Sequence, residues 1–128
     1  MKTGVQDWVG LLGRVLMSAI FIWAGYEKAK APAGTMAGFA HVGLPLPGVA
    51  YAVALAIEIG CGVLFLVGFR TKVTGLVLAG WCVATALVAH YHPENRDAMI
   101  HFMKNICMAG GFLQVVAFGG GRLGISQG

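Results

Sequence analysis

Four apolar runs, at roughly residues 8–27, 49–69, 72–91 and 102–119, alternate with short polar connections. Each is close to the about 20 residues that a helix needs to cross the hydrocarbon core of a bilayer. The expected fold is therefore an all-α membrane protein, a bundle of four transmembrane helices with both termini on one side. Residues 31–48, APAGTMAGFAHVGLPLPG, are too polar and too rich in glycine and proline to span. Met36, Phe39 and Ala40 share a helical face there, which predicts a short interfacial helix in the first loop, before the turn at Pro45 and Pro47. The connection Gly68-Phe69-Arg70-Thr71-Lys72 is a tight basic turn, so the second and third spans are expected as antiparallel neighbours. The third connection, HYHPENRDAMIHF, is the most polar part of the chain, and GGGRLGISQG forms a glycine-rich exit.

The first run resembles a signal peptide, because Ala29-Lys30-Ala31 has the look of a small-residue cleavage site. It is longer than the about 7 to 15 residues of a secretory apolar region, and three more runs follow it, so it reads as a retained span. Small residues occur at helix-packing spacing in the later runs: Gly75 with Ala79, Gly80 with Ala84, and the group Ala109, Gly110 and Gly111. In lipid, helices approach through such residues, since no hydrophobic force separates helix from acyl chain.

Composition sharpens the class. Of 128 residues, 58% are hydrophobic and 11% charged, against about 25% charged in soluble domains, and the mean hydropathy is +0.78. The partner is a lipid bilayer. The net charge of +4 comes from Lys and Arg scattered at the ends of apolar runs, which suits membrane-edge anchoring and argues against nucleic acid. Lys2, Arg70, Lys72 and Arg122 fall on the terminal side, and Lys28, Lys30, Arg96 and Lys104 on the other. The compact basic turn at 70–72 tips the expected orientation toward cytoplasmic termini. The cysteines Cys61, Cys82 and Cys107 fall in separate runs, with no CxxC pair and no Cys-His metal spacing, so no disulfide and no metal site is expected.

The candidate chemistry is intramembrane. Glu58 lies near the middle of YAVALAIEIGCGVLFLVGF, where a charge costs about 2.5 to 3.5 kcal/mol on insertion scales. It must face inward and find a partner, and Arg14 on the first span is the expected one. Such a pair serves either to fix helix register or to line a polar cavity that takes a ligand head group or passes a proton. On the first span Arg14, Ser18, Phe21, Gly25 and Lys28 share a face; on the fourth, His101, Lys104, Asn105, Met108 and Phe112 do. With His90 and His92, these groups place a candidate cavity mouth at the end that carries the first and third loops. The expected lining is Arg14, Ser18, Lys28, Glu58, His101, Lys104 and Asn105, with Phe21 and Phe112 as an aromatic wall. Cys61, one turn from Glu58, is the possible redox group at its border. Each histidine also reads as an interfacial side chain, each cysteine as a packing residue, and Trp8, Trp23 and Tyr26 as membrane anchors.

The order of several short motifs resembles the DoxX family of small four-span membrane proteins. They are Gly13-Arg14, Gly25-Tyr26-Glu27-Lys28, Gly43-Leu44-Pro45, Glu58 with Gly60, Phe69-Arg70-Thr71-Lys72, His101-Phe102-Met103-Lys104-Asn105, and Gly119 with Gly121-Arg122. The resemblance implies a single DoxX-like membrane domain over residues 1–128, in a bacterial inner membrane. Some relatives form the membrane subunit of a thiosulfate:quinone oxidoreductase, and others are linked to complexes that handle thiol or oxidative stress. By that analogy Arg14, Lys28, Glu58, Lys104 and Asn105 form the shared polar set, around a quinone or a small anion. Redox chemistry would need membrane or peripheral partner subunits, because the sequence has no flavin or nicotinamide glycine fingerprint and no paired cysteines. The rival readings are a non-catalytic assembly protein and a small transporter, the latter weakened by the lack of an internal repeat; a second copy of the chain, forming a homo-oligomer, is a further candidate partner.

Overall fold

Helix ends in this chain are set by a few residues of special backbone geometry. At Gly68 (φ +77°) the amide of Phe69 donates to the carbonyl of Leu64 and that of Gly68 to Phe65, a left-handed cap that glycine adopts without a Cβ penalty. Gly43 (φ +86°) closes the connecting helix in the same way, with Leu44 donating to Phe39 and Gly43 to Ala40. At the start of the fourth span, the Asn95 side chain accepts from the amide of Ala98 at 3.1 Å, satisfying one of the free donors of a first turn.

The computed structural model describes residues 4–125. Lys2 and the last three residues of the glycine-rich exit lie outside the described residues. Four helices are long and apolar enough to cross a membrane: Val5–Lys30, Pro47–Leu66, Thr71–His90 and Arg96–Phe118. A shorter helix, Pro32–His41, connects the first two and packs on the start of the second. The expected elements are all present. The fourth span starts earlier than the apolar pattern predicts, because the Asn95 cap draws Arg96–His101 from the polar connection into the helix. Two spans contain a π-helical stretch, Ala56–Cys61 around Glu58 and Ala86–His90 at the end of the third span. The extra residue in such a turn shifts which side chains face inward, and it recurs at functional positions.

Neighbouring spans pack in chain order, first on second, second on third and third on fourth. The seam between the first and fourth is closed by side chains. Phe112 is its centre, with its ring 5.5 Å from Phe21 and 5.0 Å from Phe65, both edge to face. Leu78, Ala79, Cys82 and Ala109 complete the dry core. Phe21 and Phe112 are thus packing residues, buried against each other, and not the wall of a ligand site. The sequence placed them correctly on the inward faces, but three converging phenylalanines fill the space between those faces.

Close approach of the first and second spans depends on glycine. A Cβ at Gly25 would lie 2.5 Å from Ile59 Cγ1 and 3.2 Å from Glu58 Cβ. Gly75 lets the ring of Phe65 approach the third span, and Gly111 admits Met17. Gly80 and Gly110 face open space, so only part of the small-residue pattern serves packing within the bundle. Substituting Gly25→Val is expected to lower the thermal unfolding midpoint of the detergent-solubilised protein, at a cost of about 1 to 3 kcal/mol from overpacking. Gly60→Ala, whose added Cβ meets nothing within 4 Å, should not lower it.

Candidate functional site

The carboxylate of Glu58 is buried, and both of its oxygens are engaged. Lys28 Nζ lies 2.8 Å from Oε1, and the indole Nε1 of Trp81 donates to Oε2 at 3.1 Å. Lys28 comes from the last turns of the first span, Glu58 from the π-helical turn of the second, and Trp81 from the middle of the third. A lysine close to a helix C-terminus also sits favourably in the helix dipole. Its backbone carbonyl, one of those left free at the end of the helix, accepts the hydroxyl of Tyr51 at 3.0 Å and that of Thr35 at 3.5 Å. The first span, the connecting helix and the start of the second span are tied together at this point.

The expected Arg14–Glu58 pair is therefore replaced by Lys28–Glu58. The reason is register. Glu58 lies level with Gly25, and the helix between Arg14 and Gly25 rises about 16 Å at 1.5 Å per residue, beyond the reach of an arginine side chain. Arg14 is buried instead at the terminal end, where Nη2 donates to the carbonyl of Leu123. Ser18 is also buried, and its hydroxyl returns to the carbonyl of Val15 in its own helix at 3.3 Å.

The remaining candidates assemble elsewhere. His101, Lys104 and Asn105 line a cavity of about 430 Å³ together with Ile20, His90, Cys107 and Met108. The rings of His90 and His101 are 5.6 Å apart. This cavity lies in the seam between the first and fourth spans, at the end of the bundle that carries the first and third loops. Ile20, His101, Lys104 and Cys107 are exposed, so it opens sideways onto the outer surface. Its lining is apolar on the helix faces and polar where the histidines, the lysine and the asparagine converge. Cys61, three residues from Glu58, packs against the apolar core. His92 stands 3.6 Å from Glu94 beyond the third span. Among the described residues no group of three or more His, Cys, Asp or Glu is placed to hold a metal ion.

Apart from Ser18, bonded within its own helix, and Cys61, against the apolar core, the candidates expected around one cavity thus fall into three places: the Glu58 clamp, the lateral cavity at the loop end, and Arg14 at the terminal end. Trp81 is the member that the sequence reading passed over. A signal for it existed, since it is a tryptophan in the middle of an apolar run rather than at its ends, and a buried indole N–H needs an acceptor.

Removing one partner of the clamp leaves the other charge buried. Lys28→Met is expected to destabilise the protein by about 3 kcal/mol, and the double substitution Lys28→Met with Glu58→Leu should recover most of that loss. Trp81→Phe, which takes away one donor, should cost about 1 to 3 kcal/mol. Thermal unfolding of the wild type, Lys28→Met, Glu58→Leu and the double variant in one detergent forms the double-mutant cycle that checks the coupling.

Comparison with known proteins agrees with this architecture. The chain is 34% identical over 123 residues to "Inner membrane protein YqjF" of Escherichia coli (strain K12), covering 96% of this chain and 93% of that protein. It is 30% identical over 122 residues to "Inner membrane protein YphA" of the same organism, covering 91% of this chain and 87% of that one. No solved structure matches. The DoxX family model matches residues 9–91, which hold all but the first turn of the first span, the second and third spans, the connecting helix and the whole Lys28–Glu58–Trp81 clamp. The chain belongs to the DoxX family.

Proposed function

We propose that this DoxX-family protein of the bacterial inner membrane is the ligand-binding subunit of a membrane redox assembly, taking a quinone head group or a small anion in its lateral cavity. One observation carries the reading: the cavity of about 430 Å³ places His90, His101, Lys104 and Asn105 against apolar walls from Ile20 and Met108. Quinone carbonyl oxygens accept hydrogen bonds, and an ammonium, an amide N–H and an imidazole N–H are donors of the right kind. A sideways opening suits a ligand whose isoprenoid tail stays in lipid. A volume of this size also lies within the about 300 to 1,000 Å³ of small-molecule sites.

In this scheme Lys104 and Asn105 hold the oxygens of the head group and the paired imidazoles hold or release protons as it is reduced, while a partner subunit supplies the electrons. Glu58 has a different part. Its two oxygens are already engaged by Lys28 and Trp81, so it holds three spans in register. That closed contact is what an assembly or accessory protein needs, and it supports this second reading if the cavity takes no ligand.

Binding of a short-chain ubiquinone or menaquinone analogue, followed by tryptophan fluorescence quenching, tests the proposal. Lys104→Met and Asn105→Leu are each expected to weaken it about tenfold or more, as loss of a hydrogen bond worth about 1.4 kcal/mol does. Unchanged affinity in both variants, or no binding by the wild type, would discard the cavity reading in favour of the accessory one.

A further inference from the structure

The fourth span is both the least apolar and the least buried of the four. The face it turns away from the bundle accounts for this. Ile100, Met103, Cys107, Gly110, Gln114 and Ala117 are all exposed, and their alternating spacing of three and four residues sets them in one line, as in the seam of a left-handed helix pair. The outward face of the first span, by contrast, carries Trp8, Leu12, Leu16, Ile20 and Trp23, a surface suited to acyl chains. A span that is poorest in apolar surface, yet exposes the largest share of itself, is incomplete as a lipid-facing helix.

Gln114 is the residue that lipid cannot accommodate there. It lies one turn inside the end of the span, and side chains on a helix lean toward its N-terminus, so its amide is carried away from the near interface and into the hydrocarbon. An unpaired amide in such a medium is costly. The carboxamide both donates and accepts, so two glutamines that face each other satisfy both groups. Copies of the chain inserted in the same direction are related by an axis along the membrane normal, and identical residues then meet at the same level. Gly110, one turn away, has nothing within 4 Å of an added Cβ and lets a second helix approach closely. Toward the loop end the same face lies in a groove of about 660 Å³, whose lining includes Glu94, Arg96, Met99, Ile100, Met103 and Cys107. The groove offers room for apolar side chains and charges of both signs, as a surface that pairs with itself requires.

We propose that the outward face of the fourth span is the contact surface for a second copy of this chain, forming a parallel homodimer. The two Gln114 amides bond each other across the two-fold axis, and the two Gly110 backbones pack closely beside them. An acyl chain offers the amide no partner, and a side chain that is its own complement favours a copy of itself over an unrelated helix. His101, Asn105 and Met108 of the lateral cavity lie on the opposite side of the fourth helix, so the dimer does not cover that cavity. The two sites are independent.

The test uses the full-length protein, oxidised with copper phenanthroline in native membranes and weighed in mild detergent by native mass spectrometry. Cys107 is the reporter, because it is exposed in the proposed seam, whereas Cys82 is buried and Cys61 half-buried. The wild type is expected to give a disulfide-linked dimer that Cys107→Ser abolishes, and a dimeric mass in detergent. Gln114→Leu and Gly110→Leu are each expected to weaken the dimer about fivefold or more. Gly80→Leu adds the same bulk to the outward face of the third span, where a Cβ also meets nothing within 4 Å, and should leave the dimer unchanged. A wild type that stays monomeric at every protein concentration and gives no cross-link would overturn the proposal. So would a dimer that withstands both fourth-span substitutions, or one that only Gly80→Leu disrupts, which would place the contact on the third span. A mass showing one copy of the chain bound to a different protein would assign the face to another partner and overturn it as well.

Discussion

A carboxylate in the middle of a lipid-spanning helix has to be neutralised by its neighbours, and Glu58 draws three spans together in meeting that demand. Lys28 supplies the charge and Trp81 the second donor, so the first, second and third helices are held in one register at one level. Gly25 makes this geometry accessible by letting the first helix approach the backbone around Glu58. The π-helical turn Ala56–Cys61 sets the direction of the carboxylate, and the hydroxyls of Tyr51 and Thr35 secure the end of the first span at the carbonyl of Lys28. In a medium without water, these contacts have no competitors, which is why a few polar groups order so much apolar helix.

The fourth span is joined differently. It packs along the third helix, while its seam with the first is closed only in the middle, by Phe21 on Phe112 and Met17 on Gly111. Above and below this aromatic closure the seam widens into two cavities of opposite design. The one at the loop end combines histidines, Lys104 and Asn105 with apolar walls and opens sideways. The one at the terminal end is walled by glycine backbone and charged by Arg14, Arg122 and Asp7. Two polar regions kept apart by a dry core make one shared cavity round Arg14 and Glu58 impossible, and they give each end of the bundle a separate chemistry.

Much of the local organisation was legible in advance because the relevant signals are themselves local. The apolar runs gave the spans, the shared face of Met36, Phe39 and Ala40 before the turn at Pro45 and Pro47 gave the connecting helix, and the spacing of Arg14, Ser18, Phe21, Gly25 and Lys28 gave the inward face of the first span. The pairing of Glu58 was misread for lack of a register: helical periodicity tells which side of a helix a residue lies on, but not which residue of the next helix stands at its level. Trp81 lies in the middle of its span, where a tryptophan cannot anchor at the interface as those near span ends do, and that position is the mark that distinguishes it. The burial of Phe21 and Phe112 against one another could not be read from either span alone.

The sequence by itself determined that the chain spans a membrane four times, that Glu58 must face inward, and that it must be partnered there. These follow from the cost of exposed polar groups in lipid, which acts on each segment separately. The tertiary structure alone decided which cation answers the carboxylate, that Arg14 is left to the glycine-rich tail, and that the polar candidates divide between two cavities. Those outcomes depend on how far each helix slides along its neighbour, and close contacts at Gly25, Gly62 and Gly68 settle that only once the helices are packed.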